Sequence, residues 1–482
     1  MDLDVIIKAE REGLPSEADR EALVKMQELA KGYSAAEHDR NCKRIHLVLR
    51  NQRVADVLKR LPLSDDMAEN VELYAYTEED LWAMEMLGVR PESETYLDRE
   101  AIRMDSRKTV HLVLFGVSNQ SESLAVHTAL TAHYPNYCRD NSLRTRITWV
   151  SDSQEDFHRF QQHYCNLLEN SYRRIVTVNR EDVECKTLEP KYKGQRDDFV
   201  DVEWEFVEGC SDDSILTYKL KKWANEQGQL LTIAFCYEDD ERNVGDVLAL
   251  PAEVHKHTPV WVRVKDETTL NFVKQSGQYS KIIPFGMENV ELPDMSLFIR
   301  MAQGINFAYS QMRETTAEEQ QSGLTEMAVA TEIPSEEELQ RLWNNKKLNT
   351  AKRWSNIYNA FTLRSKMHSL GHPVSEWGTL FSISEKEVEA LSEVEHNRWS
   401  VEELILGYMP TTEEEHLAIQ KDIKKRDELK AAFKHDDLRS YQELGADSTG
   451  LSVVRYDMGL IRTLPLLAYM YHQMKENNDE HA

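Results

Sequence analysis

The chain has 482 residues, and its 84 Asp and Glu outnumber its 58 Lys and Arg, which gives a formal net charge of −26. This balance argues against a protein that binds duplex nucleic acid or docks on an anionic membrane surface, because both need a net basic face. A hydrophobic content of 41% is typical of globular rather than disordered chains. At roughly 100–200 residues per domain, the length predicts two to four domains.

The N-terminal stretch and the cysteines indicate the compartment. Residues 1–14 carry neither a basic n-region nor an apolar h-region, so they do not look like a signal peptide. No window approaches the ~18 apolar residues of a membrane span, and we expect no transmembrane segment. The six cysteines form no CxxC pair, so we expect no zinc ribbon and no metal site. The sequence therefore predicts a soluble, cytoplasmic chain with free thiols at Cys42, Cys138, Cys165, Cys185, Cys210 and Cys236.

Residues 1–105 are interpreted as an N-terminal helix followed by a βα lobe. Apolar Leu23, Met26 and Leu29 recur among charges and predict a helix over residues 3–40. Strand-like and helical patterns then alternate, as in a parallel sheet covered by helices. The predicted strands are residues 44–49 and 71–76, and the predicted helices are residues 54–61 and 78–87.

Residues 106–312 repeat this alternation more strongly, and we assign them to the α/β class as an open, doubly wound, Rossmann-like sheet. The run from Val110 to Phe115 is almost entirely apolar, as expected of a strand buried on both faces. Residues 200–207 alternate and are interpreted as a further strand, with an antiparallel direction left open. The other predicted strands are residues 146–152, 174–178, 230–237, 259–264 and 281–284, and the predicted helices are residues 124–133, 155–169 and 214–227.

The remainder of the chain has a different pattern. Residues 313–350 are interpreted as an acidic interdomain linker, because most of this stretch is polar and contains Ser, Gly and Pro. Residues 351–482 follow a helical period almost throughout, which predicts an all-α domain. One of its apolar stripes contains Trp354, Ile357, Tyr358 and Phe361.

The turn after the strand at residues 110–115 is a candidate phosphate site. A parallel strand that ends in Gly116 and leads into a helix presents free backbone N–H groups to an anion. Of the GxGxxG pattern only the first glycine is present, and Ser118 and Ser121 stand where the later glycines would be. Asp152 at the end of the next strand can hold ribose hydroxyls. The predicted cofactor-binding residues are Gly116, Ser118, Asn119, Ser121 and Asp152, and the ligand would be NAD or another adenine nucleotide. The alternative is a degenerate nucleotide fold kept for structure or dimerisation.

Two stretches of this region resemble the TrkA-N, or RCK, domains that regulate bacterial potassium transport. The match rests on residues 111–116 with 147–152, and on residues 260–264 with 283–287. Residues 45–50 and 73–80 are similar to a second βα lobe found before that domain in related chains. The resemblance implies a regulatory role, nucleotide binding and a homodimer.

The motif at residues 391–408, LSEVEHNRWSVEELILGY, resembles the RyR domain, a small helical module first named from ryanodine receptors. Residues 434–438, 441–444 and 456–465 look like its later segments, and residues 351–371 resemble the lead-in of bacterial members. The match departs at residues 411–431, a Glu- and Lys-rich insertion. The resemblance implies sensing or regulation rather than catalysis.

Helical spacing within this motif predicts a ligand pocket. Glu395 and Arg398 are neighbours at i and i+3, while His396 shares a face with Trp399. An aromatic face, a guanidinium and a carboxylate can hold a planar base or a guanidine-like ligand. The alternative is structural, with core aromatics and an internal ion pair. The predicted ligand-binding residues are Glu395, His396, Arg398, Trp399, Tyr408, His435, Tyr441 and Asp457.

These features predict a cytoplasmic, ligand-sensing regulatory protein that binds a nucleotide-type small molecule through the Rossmann-like core, the RyR-like module or both. One alternative is an enzyme that modifies a nucleotide or consumes NAD, with Ser118, Asn119, Asp152 and the acidic loop at Glu238 as its site. Another is an interaction scaffold with no small ligand. No catalytic residue is assigned, and the expected partners are a second copy of the chain and a membrane or effector protein. The pathway stays open between ion-transport regulation and nucleotide-signalled defence.

Overall fold

The computed structural model describes residues 4–9, 15–35, 43–60, 71–89, 93, 95–179, 182–191, 199–288, 295–315, 327–345, 348–446 and 450–479. The fold is mixed α/β, with a large, mostly parallel sheet of eight strands, a parallel sheet of three strands and many helices. Cys42 and residues 316–326 of the predicted linker lie outside the described residues. Within the described ranges, no helix is both long and apolar enough to span a bilayer.

The three-stranded sheet is formed by β1 (Asp4–Lys8), β2 (Lys43–Leu49) and β3 (Val71–Thr77), in that order and all parallel. Helices α1 (Pro15–Ala35), α2 (Gln52–Arg60) and α3 (Glu78–Met86) accompany it. The predicted helix over residues 3–40 is therefore wrong at its start, because residues 4–8 pair with β2. Val5 and Ile7 pack into the small core of this sheet, and that packing favours a strand.

The eight-stranded sheet has the order β11-β10-β9-β4-β5-β8-β6-β7, and only the β6–β7 pair is antiparallel. Its strands are β4 (Thr109–Phe115), β5 (Thr145–Ser151), β6 (Tyr172–Asn179), β7 (Asp182–Leu188), β8 (Val202–Glu208), β9 (Gln229–Phe235), β10 (Val260–Arg263) and β11 (Ile282–Phe285). Its helices are α4 (Asn119–Thr131), α5 (His158–His163), α6 (Cys165–Glu169), α7 (Ser214–Asn225), α8 (Asp240–Ala249), α9 (Ala252–His257), α10 (Thr268–Lys274) and α11 (Ser296–Gln311).

The central strand β4 is buried on both faces, as its apolar run predicts. Leu112 and Leu114 belong to the largest hydrophobic core, and Val113 and Phe115 belong to a second core on the other face. All four side chains are fully buried. Because burial of apolar surface dominates folding, a strand that supplies both cores fixes the centre of the sheet.

The strand predicted at residues 200–207 is present, but its antiparallel option is wrong, since β8 pairs in parallel with both β5 and β6. The antiparallel strand is β7, which sequence reasoning missed. It forms a hairpin with β6 at the edge of the sheet. Its sequence, DVECKTL, has only a weak apolar alternation, because an edge strand is not buried on both faces.

The C-terminal part is largely helical. The short strands β12 (Arg313–Glu314) and β13 (Met327–Ala328) precede it, and β14 (Met409–Pro410) and β15 (Lys434–His435) form a small parallel pair within it. Its helices are α12 (Glu336–Trp343), α13 (Thr350–Phe361), α14 (Leu363–Leu370), α15 (Glu385–Ile405), α16 (Glu413–Lys421), α17 (Lys425–Ala431), α18 (Tyr441–Ala446), α19 (Leu451–Arg462) and α20 (Leu464–Asp479).

Helix α12 lies within the stretch interpreted as a linker, yet it is anchored to the three-stranded sheet. Trp343 at its end is fully buried. Its indole N–H donates to the hydroxyl of Tyr74 at 3.1 Å and lies 3.3 Å from a carboxylate oxygen of Glu72. The stretch thus connects the α/β and helical parts through buried contacts as well as through the chain.

Candidate functional site

The turn after β4 has the left-handed glycine that the sequence indicates, but the space above it is occupied by a side chain of the chain itself. Gly116 adopts φ +85°, and a Cβ at this position would lie 2.5 Å from the ring of Tyr237. Tyr237 follows the end of β9, the neighbour of β4. Because Gly116 has no side chain, the aromatic ring of Tyr237 can pack directly against the backbone there.

The two serines of the turn form a capping box for α4. The Ser118 hydroxyl accepts the backbone N–H of Ser121, and the Ser121 hydroxyl accepts the backbone N–H of Ser118. Ser118 also donates to the carbonyl of Cys236 at 2.6 Å. Both hydroxyls thus cap the start of α4, as expected of Ser at this position, and Ser118 also ties the helix to the end of β9.

Asp152 is held by an arginine rather than left open at the strand end. Arg242 donates to both of its oxygens, at 2.8 and 2.9 Å, and its guanidinium stacks on the Tyr237 ring at 3.7 Å. This hydrogen bonding holds the pKa of Asp152 below its usual range. Tyr237, Arg242 and Asp152 thus form a partly exposed cluster of contacts within the chain, next to Gly116.

A cleft of about 330 Å³ lies between the two sheets. It is lined where the parallel strands of both sheets end, by Arg50 and Glu78 after β2 and β3 and by Lys265 and Gly286 after β10 and β11. Of the five predicted cofactor-binding residues, Asn119 alone lines it. The carboxyl ends of parallel strands are the usual position for ligands in open α/β sheets.

The cleft carries charges of both signs. Arg263 bonds to the carbonyl of Tyr237 at 2.9 Å and pairs with Glu238 at 3.0 Å. Burial raises the pKa of Glu79, which also lines the cleft. Lys265 and Arg50 add further cations, so an anionic group could be held there.

The second candidate site is a cavity of about 340 Å³ in the helical part. Six of the eight predicted ligand-binding residues line it, namely Glu395, His396, Arg398, Trp399, His435 and Asp457. The other two lie just behind: the Tyr441 ring is 5.8 Å from the His396 ring, and the Tyr408 ring is 5.9 Å from the His435 ring. Sequence reasoning thus brings together residues from α15, β15 and α19 that the fold places around one space.

Helix α15 positions four of these residues. It begins with a capping box in which Ser384 and Glu387 satisfy each other's backbone N–H groups. Its spacing at i, i+3 and i+7 turns Glu395, Arg398 and Glu402 toward the same side. All three side chains are almost fully buried, which is unusual for charged residues unless they are paired.

These charges form a network at the wall of the cavity. Arg398 donates to Glu395 at 3.0 Å and to Glu402 at 2.8 Å. Lys366 from α14 pairs with Glu395, and Asn359 donates to it at 2.7 Å. Although burial opposes it, the cations Arg398 and Lys366 hold the pKa of Glu395 at about 2. The carboxylate is thus ionised and fully paired within the protein.

The neighbouring pair His396 and Asp457 is different, because each has a buried polar atom with no hydrogen-bond partner. The Nε2 atom of His396 lies 3.0 Å from the carbonyl of Arg439 and must carry the proton, since a carbonyl can only accept. Burial lowers the pKa of His396 to about 4, so its Nδ1 presents a lone pair. The free Nδ1 and the free Oδ2 of Asp457 face each other at 3.8 Å.

Asp457 has a carboxyl group that resists ionisation. Burial and the nearby Glu395 carboxylate raise the pKa of Asp457 well above its usual range. Among the described residues, no Lys or Arg nitrogen lies within 4.0 Å of it. Buried polar atoms are normally satisfied, so a ligand or a water molecule that enters the cavity could pair with these two atoms.

An aromatic wall completes the cavity. Trp399 is half-buried, and its ring lies 5.6 Å from the His396 ring and 4.9 Å from the His435 ring. Burial lowers the pKa of His435 to about 3, so this imidazole is also neutral at pH 7. The wall offers a flat apolar surface between two neutral imidazoles, suited to a planar ligand.

Several residues were not predicted: Tyr309, Arg426 and Lys430 line the cavity, and Glu402 and Lys366 belong to the charged network at its wall. Glu402 follows Arg398 at i+4, and that spacing is the one signal that could have found it. Tyr309 comes from α11 and Lys366 from α14, and no local pattern connects either with α15. Arg426 and Lys430 lie on α17, inside the stretch interpreted as an insertion, and bring two cations to the cavity.

No group of three or more His, Cys, Asp and Glu suited to a metal ion occurs among the residues that the structure describes. Comparison with family models, with curated protein sequences and with solved structures finds no match for this chain. The resemblances to TrkA-N and RyR domains therefore remain predictions, and the candidate sites rest on their own geometry.

Proposed function

We propose that the chain is a ligand-sensing regulatory protein whose helical part binds a nucleotide-type small molecule in the cavity beside Trp399. One observation carries this proposal. Six residues predicted from the RyR-like motif line a single cavity, and two of them, His396 and Asp457, have buried polar atoms without partners. A ligand that pairs with these atoms would offset the cost of about 1–3 kcal/mol that an unsatisfied buried polar atom carries.

The composition of the cavity supports a nucleotide. Trp399 and His435 supply stacking surface, and His396 and Asp457 supply hydrogen bonds for the edge of a base. Lys430 is exposed beside them and can approach a phosphate group. The lining combines aromatic rings with many polar and charged side chains, so it can both stack on a base and fix its orientation.

Contacts behind the cavity support a regulatory role. His435 lies on β15, directly after Lys434 and Phe433, and Phe433 has the strained φ of +56°. The Arg60 guanidinium lies over the Phe433 ring at 5.7 Å and donates to the carbonyl of Leu406 at 2.6 Å. A ligand that moves His435 would therefore act on α2 of the N-terminal lobe. Such a sensor would pass its state to a second copy of the chain or to an effector protein.

A second candidate function is an enzyme that acts on a nucleotide in the cleft between the sheets. The strand order β8-β5-β4-β9-β10-β11 supports it, because it follows the order of a doubly wound dinucleotide fold. Glu79 is a half-buried carboxyl group in that cleft whose pKa is raised by burial, as expected of a general acid or base. Incubation with NAD and ATP followed by chromatography would reveal turnover, and Glu79→Gln would abolish it.

The sensor proposal is tested by thermal unfolding of the full chain with AMP, CMP, GMP or NAD at millimolar concentration. A nucleotide present at 100 times its Kd stabilises the folded state by about 2.7 kcal/mol. We expect stabilisation in the wild type and its loss in Trp399→Ala. Tyr218→Ala is the matched control, because Tyr218 is exposed on α7 and lines neither site. Equal stabilisation of Trp399→Ala and wild type would contradict the proposal.

A further inference from the structure

Among the described residues, each buried carboxylate that lines the cavity has a Lys or Arg nitrogen within 4.0 Å, except for Asp457. Lys366 and Arg398 are directed at Glu395, and Arg398 also bonds to Glu402. In the part of the chain that the structure describes, His396 is the one basic side chain within 4.0 Å of Asp457, and its ring N–H already donates to the Arg439 carbonyl. An ionised Asp457 would be a buried charge without a cation, next to the Glu395 carboxylate, so the neutral carboxyl form fits this position.

The resulting hydrogen-bonding pattern is specific. The neutral carboxyl group of Asp457 offers one O–H donor and one C=O acceptor. The Nδ1 atom of His396, 3.8 Å away, adds a second acceptor. A ligand that pairs with all three of these atoms must carry an amino group that donates two hydrogen bonds and, next to it, an atom that accepts one.

We infer that the cavity selects a base with an amino group next to a ring-nitrogen acceptor, the edge that adenine and cytosine share. The amino group would donate to His396 Nδ1 and to the Asp457 carbonyl oxygen, and the ring nitrogen would accept the Asp457 O–H. The base plane would lie against Trp399. This inference deepens the proposed function and depends on it, since it assumes that a nucleotide occupies this cavity.

Guanine and hypoxanthine carry the opposite pattern at the ring nitrogen. Both present an N1–H on the Watson–Crick edge, and it would meet the Asp457 O–H, donor against donor. Guanine also has an acceptor beside its amino group, N3, but the ribose at N9 flanks that edge and obstructs its approach. Accommodation would require ionisation of Asp457 beside Glu395. A site built to hydrogen-bond one edge rejects an analogue that leaves its buried groups unpaired, by a factor of about 10⁴ in favourable cases.

The test is calorimetric titration of the full chain at pH 7 with five nucleoside monophosphates: AMP, CMP, IMP, GMP and the purine riboside analogue of AMP that lacks the amino group. All five carry the same 5′-phosphate group, so a difference in affinity between them is caused by the base. We expect AMP or CMP to bind at least ~100-fold more tightly than IMP and GMP, with the purine analogue weakened at least ~10-fold. Comparison of the AMP and CMP dissociation constants shows whether the cavity prefers adenine or cytosine.

Two variants at Asp457 sharpen the test. Asp457→Asn keeps one N–H donor and one C=O acceptor, so we expect AMP or CMP affinity within ~10-fold of wild type. Asp457→Leu removes both groups and should lose at least ~100-fold. Loss of binding in Asp457→Asn, or GMP binding as tight as AMP, would overturn the inference alone. No binding of any nucleotide by the wild type would overturn the proposed function as well. The analogue series on the wild type decides the question even where a variant fails to fold.

Discussion

The imidazole of His396 and the carboxyl group of Asp457 face each other across 3.8 Å, one from α15 and one from α19, and neither facing atom has a hydrogen-bond partner. A few ångströms away, Glu395, Arg398 and Glu402 pair completely. The same helix thus carries a satisfied structural network and an unsatisfied polar pair. This contrast distinguishes the residues that hold the module together from those available to a ligand.

The neutral state of His396 makes stability depend on pH. Its pKa of about 4 in the folded state, caused by burial, lies below the ordinary value of 6.5. Between pH 6.5 and 4 the unfolded chain binds the extra proton, so stability is lost as the pH falls through this window. From pH 7 to 5 the His396 contribution to the free energy of unfolding should fall by about 2 kcal/mol.

Urea denaturation of wild type and His396→Gln at pH 7 and pH 5 measures this contribution. Gln can still donate to the Arg439 carbonyl but does not titrate. The other titratable and charged groups around position 396 are the same in both chains, so their contributions cancel in the comparison. They are Asp457, Glu395, Arg439 and His435, and burial also lowers the pKa of His435. We expect the wild type to lose more stability on acidification than the variant does. An equal loss in both would show that His396 is protonated in the folded state.

The buried network predicts a large cost for removing its central carboxylate. Glu395→Gln leaves Arg398 and Lys366 with an uncompensated charge, and breaking a buried pair in this way costs about 3–5 kcal/mol. The change is measured as a shift in the urea midpoint. Arg341→Met is the control, because Arg341 is exposed and its pair with Glu338 should contribute little. A Glu395→Gln midpoint as close to wild type as that of the control would contradict the structural role.

The turn after β4 predicts a steric effect at Gly116. A Cβ in Gly116→Ala would lie 2.5 Å from the Tyr237 ring at φ +85°, so we expect a loss of about 1–3 kcal/mol. Gly245→Ala is the matched control: it lies in α8 with nothing within 4 Å of its Cβ. That variant should gain up to about 1 kcal/mol. Wild-type stability in Gly116→Ala would mean that Tyr237 does not occupy this position.

The position of Lys430 at the cavity predicts that its ammonium group contributes to nucleotide affinity by binding the phosphate. Lys430→Ala should weaken AMP binding about 5–10-fold while leaving adenosine unchanged, because a partly exposed charged hydrogen bond is worth about 1 kcal/mol. The readout is the ratio of the two dissociation constants. Lys424→Ala, in the same exposed stretch but outside the cavity lining, is the control. A parallel loss of AMP and adenosine binding would place Lys430 against the base or in the fold instead.

Much of the α/β part was predictable because its strands are apolar runs buried on both faces. The strands at residues 110–115 and 230–237 are confirmed with small changes at their ends. Strand β1 was missed because five residues beside a long amphipathic helix give a weak signal, and only pairing with β2 stabilises it. Edge strand β7 was missed for the same physical reason, since tertiary pairing overrides a weak local pattern.

The residues of the candidate sites also fall into those that a local sequence pattern reveals and those that only the tertiary structure brings in. Residues within one helix, such as Glu395 and Arg398, reveal their neighbours by spacing alone. Residues brought in by the fold do not, and neither Tyr309 beside the cavity nor Tyr237 above Gly116 had a sequence signal. Asp152 was identified as a strand-end carboxylate, but its arginine partner lies 90 residues away in α8.

The most direct test of the central claim is hydrogen–deuterium exchange of the full chain with and without saturating AMP or CMP. We expect new protection in α15 and α19, around Trp399 and Asp457, and around His435 on β15. Protection confined to Glu78–Glu79, Asn119 and Arg263, which line the cleft between the sheets, would contradict it and would place the nucleotide in the α/β part instead.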